Sequence, residues 1–372
     1  MYKNLGAAFA AACFSCLAWG QPAPVTHPAS APAPAGAPLK VGFVYVTPVT
    51  PSGWVHQHEL GRLALQKALG SRVQTHYVEN VAEGPDAERV IRDMARQGDQ
   101  LIITPSFGYM EPTLKAAQEF PQTRFESITG YKTATNVATA NARYYEGRYL
   151  AGIAAARMSK SGLAGYVAGF PIPEVLQGIN AFTLGMRSVN PGAQVKLIWL
   201  DTWFDPARER DAALTLFNQG VDVMAFHTAS DAIMVAAQER GKLAVAYHSD
   251  MRHVAPDAQI LAVTHRWGDY YVARSRAVLD GSWRSGSVWG GVREGMVAVE
   301  GFGSRVPKAV QDEVLTRQRQ IAAGTLIPFA GGAQGVRDNA GRLVIAPAAR
   351  MSDGEILGMN WLVQGVQGTV PK

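Results

Sequence analysis

Short apolar runs alternate with helix-patterned stretches along most of this chain, and that alternation restricts its fold more than any other feature. Leu39–Val46 reads as a buried strand, Trp54–Leu69 as a helix, Val73–Val78 as a strand and Ala87–Gln97 as a helix. Leu101–Thr104 is again a strand, followed by helix Glu111–Glu119, strand Arg124–Ile128 and helix Tyr144–Met158. Strand Leu163–Val167, helix Pro173–Asn190, strand Gln194–Trp199 and helix Pro206–Gln219 come next, then strand Val221–Phe226, helix Asp231–Arg240 and strand Lys242–Tyr247. Apolar strands that are each followed by a helix specify parallel sheets covered on both faces, because a parallel connection has to cross over the sheet. The fold class is α/β, doubly wound.

The pattern fills two blocks of nearly equal length, and 372 residues exceed what one typical domain needs. A third stretch, Gln259 to Asp280, adds one more strand and helix. Two lobes are expected, an N-terminal one over 39–140 plus 251–288 and a C-terminal one over 141–250 plus 289–372. Ahead of them, residues 1–20 read as a signal peptide: Lys3, an apolar run Leu5–Leu17, then small residues in Ala18-Trp19-Gly20. Acylation at Cys13 is the weaker alternative, because Ala10 stands where a branched apolar residue is expected. Residues 21–38 are a Pro/Ala-rich linker with almost no large apolar side chain. Both cysteines, Cys13 and Cys16, fall inside the signal, so cleavage leaves a periplasmic chain without thiolate metal sites, clusters or disulfides. Loss of Lys3 lowers the net charge from +5 to +4, and the remaining Lys and Arg are scattered. Nucleic acid is therefore not an expected partner.

In open parallel sheets a ligand sits beyond the carboxyl ends of the strands. The loops there are Thr47–Trp54, Pro105–Met110, Thr129–Tyr131, Ala168–Ile172, Leu200–Asp205, His227–Asp231 and His248–Arg252. Their content is aromatic and polar. Trp54, Phe107, Tyr109, Phe170, Trp203, Phe204 and Trp267 lie at or near strand ends, and broad π-faces suit a flat ring. Most aromatics are packing residues; Trp54 and Trp203 stand apart because each follows a turn-forming or polar stretch, a position exposed in an empty cleft. Among the carboxylates, Asp205 precedes Pro206 and reads as a helix cap, Asp231 fits capping and binding equally, and Asp250 favours binding. His56 and His58 do not share a helix face, which disfavours a metal site, and Glu146 suits the first turn of its helix. No phosphate loop, dinucleotide fingerprint, nucleophile elbow or His-Glu-x-x-His occurs, so no enzymatic activity and no cofactor are expected.

Lys40–Tyr45 with Gly53-Trp54, Gly108-Tyr109-Met110, Tyr145–Gly152, Pro171–Val175, Asn180-Ala181-Phe182, Val189-Asn190-Pro191, Thr202–Pro206, Trp267–Tyr271 and Met359-Asn360-Trp361 together resemble the basic membrane protein family. Its members, which include purine nucleoside receptors, are substrate-binding proteins of ABC importers. The resemblance implies a type I periplasmic-binding fold, two lobes joined by three crossovers, and a partner permease in the membrane. It also implies an aromatic sandwich at Trp54 and Trp203. The first loop reads Ser52-Gly53-Trp54-Val55, without the polar groups that flank the aromatic in members that bind nucleosides, and His265-Arg266 stands where those members often have a lysine. Those departures disfavour ribose recognition and favour a free, adenine-like base. Ligand-binding residues are expected to be Trp54, Phe107, Tyr109, Asn180, Trp203, His227 and Asp250, in a monomer. The alternatives are a nucleoside or another flat heterocycle, a sensory receptor for a membrane kinase, and, less favoured, an exported hydrolase of purine derivatives.

Overall fold

The computed structural model describes residues 36–371. The expected signal segment, with Cys13 and Cys16, and most of the linker lie outside the described residues. The first half of the fold runs β1 (Leu39–Val44), α1 (Gly53–Leu69), β2 (Val73–Val78), α2 (Pro85–Arg96), β3 (Leu101–Pro105), α3 (Met110–Glu119), β4 (Arg124–Ile128) and β5 (Val137–Ala142). The chain then continues through α4 (Tyr144–Met158), β6 (Leu163–Ala168), α5 (Pro173–Val189), β7 (Gln194–Trp199), α6 (Pro206–Asn218), β8 (Val223–His227), α7 (Ala232–Glu239), β9 (Leu243–His248) and β10 (Gln259–His265). It returns with α8 (Gly268–Leu279) and β11 (Ser287–Gly290), then adds β12 (Val297–Glu300), α9 (Lys308–Ala322) and short C-terminal elements.

Two large sheets result among the described residues, in the orders β11-β5-β4-β3-β1-β2 and β12-β10-β9-β8-β6-β7, the second extended by a two-residue strand, Val366–Gln367. Every neighbouring pair is parallel except β10 with β12. Each sheet repeats the 2-1-3-4-5 doubly wound order, which reverses direction between β1 and β3 in one lobe and between β6 and β8 in the other. The central strands are buried along their whole length, as a sheet covered by helices requires. The edge strand β2 is largely open to solvent.

Expected and observed elements agree to within two or three residues wherever apolar periodicity is strong. One expected lobe assignment does not hold. From sequence, all of residues 251–288 are expected in the first lobe. Instead β10 pairs with β9 in the second sheet, while α8 packs on α1 and β11 pairs with β5 in the first. Only Arg266 and Trp267 separate β10 from α8, so the chain changes lobes inside that connection. The two other crossings are Arg143, between β5 and α4, and the turn 291–296 between β11 and β12. A buried carboxylate fixes α8 in place. Glu126 on β4 accepts hydrogen bonds from Arg274 Nε at 2.5 Å, Tyr270 Oη at 2.6 Å and Trp283 Nε1 at 2.6 Å.

Candidate functional site

A cavity partly open to solvent lies between the lobes, and the space it outlines, open solvent included, is about 460 Å³. Each of its walls follows the carboxyl end of a strand. Val46 and Thr47 come after β1, Ser106 and Phe107 after β3, and Thr129 after β4, with Trp54 entering from the first turn of α1. The second lobe supplies Ile172 and Glu174 after β6, Trp203 after β7, His227, Thr228 and Ala229 at and after β8, and His248 at the end of β9. The two switch points therefore face each other across the cleft.

Backbone strain gathers at the same place. Thr129 at φ 67° and His248 at φ 69° line the cavity, and Asp201 at φ 52° lines an adjoining groove. A β-branched residue in the left-handed region is a genuine outlier, and such outliers collect at functional sites. The lobes also touch here. Gly53 has φ 90°, and a Cβ on it would collide with the carbonyl oxygen of Ala229 in the opposite lobe. Ser249 Oγ accepts from Gly53 N at 3.2 Å and from Gln57 Nε2 at 3.1 Å.

The two tryptophans come from opposite lobes and are half-buried rather than exposed. Trp54 is fixed by its Nε1, which donates to Pro105 O at 2.8 Å. Trp203 packs edge-on against Phe170, ring centroids 4.9 Å apart, and its buried Nε1 has no protein partner. Deeper in, burial pushes the Glu174 carboxyl up to about 7, although Asn141 and the Arg148 guanidinium draw it back. Its Oε2 has no hydrogen-bond partner, and its Oε1 lies 3.6 Å from His227 Nε2, too far for a hydrogen bond. Burial likewise holds His227 and His248 well below the ordinary imidazole range, so both rings are neutral near pH 7. Arg148 itself is fully buried, with its guanidinium 3.2 Å from the Tyr247 ring centroid and Nη2 donating to Phe226 O at 2.5 Å. The cavity thus offers aromatic faces, neutral histidines and a carboxyl that titrates close to neutral pH.

Of the residues expected to bind ligand, Trp54, Phe107, Trp203 and His227 meet at this cavity. The other three are committed elsewhere. Tyr109 is buried in the first-lobe core, and its hydroxyl donates to Val81 O at 2.5 Å. Asn180 ties the C-terminal segment to α5, donating to Trp361 O and accepting from Val363 N, each at 2.8 Å. Asp250 pairs with Arg252 and accepts from Gln259 Nε2 at 2.8 Å, away from the cavity walls. Trp267 is also a core residue, 1% exposed. Phe170, Phe204 and Asp201 line the adjoining groove with Trp203, and Asp205 caps α6 by accepting from Arg208 N. Glu174 and His248 were not singled out from sequence. The signals available for them were a carboxylate at the second position of a helix that opens after a strand and a histidine at a strand's carboxyl end.

Two doubly wound lobes of one strand order, three crossings and a cleft at facing switch points define the type I periplasmic-binding fold. A family model described as ABC transporter substrate-binding protein PnrA-like (Bmp) matches residues 39–330, and the chain belongs to that family. It is 47% identical over 334 residues to a purine-binding protein of Brucella abortus (strain 2308), a match covering 90% of this chain and 94% of that one. It is 34% identical over 339 residues to a Haloferax volcanii protein named as a candidate glucose-binding protein of an ABC transporter, covering 90% of this chain and 82% of the relative. Among solved structures, an ABC transporter solute-binding protein from Aeropyrum pernix K1 superposes with a TM-score of 0.66 at 20% identity, covering 77% of this chain and 92% of that one. No helix among the described residues is long and apolar enough to cross a membrane.

Proposed function

We propose that this protein is the periplasmic substrate-binding component of an ABC importer and that it takes up a neutral purine base, adenine-like, between Trp54 and Trp203. The observation that carries the reading is the pair of half-buried indoles presented from opposite lobes to one cavity whose histidines are neutral and whose one carboxyl, Glu174, is pushed up to about 7. A flat ring stacked there gains about 1–3 kcal/mol per aromatic contact. A few hydrogen bonds add about 1 kcal/mol each, which brings micromolar affinity, about −8 kcal/mol, within reach. The name of the Brucella abortus relative points the same way. In this reading the protein is a carrier without catalytic residues, working as a monomer, and closure around the ring shapes the surface that a membrane permease receives.

One observation favours a nucleoside as a second reading. The groove that shares Val46, Thr47 and Trp203 with the cavity also carries Asn80, Glu83, Asp201 and Thr202, side chains able to hold ribose hydroxyls. Calorimetry with adenine, hypoxanthine, guanine, adenosine and glucose separates these cases. Adenine binding that weakens about 5- to 150-fold in Trp54→Ala and in Trp203→Ala supports the base reading. Heat with glucose alone, or purine binding unchanged by both substitutions, defeats it.

A further inference from the structure

Four buried histidines, His58, His227, His248 and His265, extend from the cleft into the hinge, and for the last two the hydrogen bonds determine where the proton sits. Trp267 Nε1 lies 2.7 Å from His265 Nδ1, and an indole nitrogen can only donate. His265 Nδ1 is therefore the acceptor, so the proton of this fully buried, neutral ring is on Nε2. That nitrogen stands 2.9 Å from His248 Nδ1, which must accept in turn. The proton of His248 is then on its own Nε2, which makes no hydrogen bond to another of the described residues and is not among the buried unpartnered side-chain atoms. His248 lines the cavity, and it holds its position through a left-handed backbone at φ 69°.

We propose that the relay Trp267 to His265 to His248 fixes His248 as a hydrogen-bond donor in the cleft, so that His248 selects ligands carrying an acceptor atom, a ring nitrogen or carbonyl oxygen, at that position. The inference rests on the reading that a flat heterocycle occupies this cavity. His265 ends β10 and Trp267 immediately precedes α8, so both positioning residues sit on a crossing between lobes. The hinge thereby decides which tautomer the ligand meets. A ligand that covers this N–H and offers it only a donor or a C–H leaves it unpaired and shut off from water, a loss that discriminates more strongly than missing contact area.

Long-range proton–nitrogen spectra of the full chain labelled with 15N-histidine read the tautomers directly. Both His248 and His265 are expected as Nε2–H in the wild type near pH 7, and His248 is expected to lose that single tautomer in Trp267→Phe. Competition calorimetry then compares adenine with 1-deaza-, 3-deaza- and 7-deazaadenine, each lacking one ring acceptor. One analogue is expected to bind the wild type about tenfold more weakly than adenine. That ratio is expected to fall below about threefold in His248→Gly, a variant whose backbone suits positive φ. His248 found as Nδ1–H or as the imidazolium overturns the proposal, as does a set of ratios identical in wild type and His248→Gly. If no purine binds the wild type at all, the purine reading falls, and the wild-type spectrum alone decides whether the relay holds.

Discussion

Glu174 shows how a single side chain acquires its chemistry from its surroundings. On an exposed helix start it would be an ordinary anion favoured by the helix dipole; buried beside the neutral His227, it keeps its proton up to about pH 7. A protonated carboxyl both donates and accepts, which suits the edge of a heteroaromatic ring. Ligand covering this group removes it further from water and holds the proton more tightly. Affinity is therefore expected to be flat below pH 7 and to weaken above it, by up to about tenfold per pH unit. Isothermal titration between pH 6 and 8.5 measures this, with Glu174→Gln expected to flatten the profile; a level wild-type curve would refute it. At this scale the aromatic half of the site was legible, since Trp54 and Trp203 stand at strand ends where stacking groups belong. The polar half was not. Tyr109, Asn180 and Asp250 occupy equally suggestive positions in sequence, yet each spends its polar atoms on the fold.

Among the elements, legibility followed the strength of the apolar pattern. Strands β3, β8 and β9 are buried on both faces and read as continuous apolar runs. The strand β5, Val-Ala-Thr-Ala-Asn-Ala, has small side chains and a weak signature, and it was not anticipated. Which sheet β10 joins depended on partners rather than on its own residues, because a strand–helix sequence carries no record of a chain crossing between them. Asn180 links two elements distant in sequence: its amide holds Trp361 and Val363 against α5. Asn180→Ala leaves the partly buried Trp361 carbonyl and the buried Val363 N–H without their partner and is expected to destabilise the protein by about 2–3 kcal/mol. Urea unfolding measures the loss, and hydrogen exchange should quicken first at residues 361–363. A stability within about 0.5 kcal/mol of wild type would show that the anchor is dispensable.

At the scale of the whole molecule, the two lobes meet in close backbone contact. Gly53 allows backbone of one lobe to meet Ala229 of the other, and no side chain fits between them. Gly53→Ala is expected to hold the cleft ajar, enlarging the radius of gyration of the ligand-saturated protein by X-ray scattering and weakening binding at least about tenfold. Unchanged affinity and an unchanged scattering profile would mean that this contact does not govern closure. Acid should act on the same region. His58, His227, His248 and His265 are buried and neutral, and burial pushes His265 down to about 3. In the unfolded chain these rings take up protons below about pH 6.5, so stability is lost as pH falls through that value. The half-buried His56 adds to the loss, while His76, drawn up by Asp99, and Glu174 work in the opposite direction. Each net proton contributes about 1.4 kcal/mol per pH unit. Urea midpoints should therefore decline from pH 6.5 to 5.5, and constant or rising midpoints would contradict the neutral assignment.

The sequence by itself determined the doubly wound class, the two-block organisation and the aromatic character of the loops, because helix and strand periods and strand-end positions are local properties. Only the tertiary structure decided which lobe takes β10, which polar groups face the cleft, and which tautomer His248 presents. Those depend on burial and on partners far apart in the chain, Gly53 with Ala229 and Trp54 with His265, and no spacing in the sequence encodes a distance across a cleft.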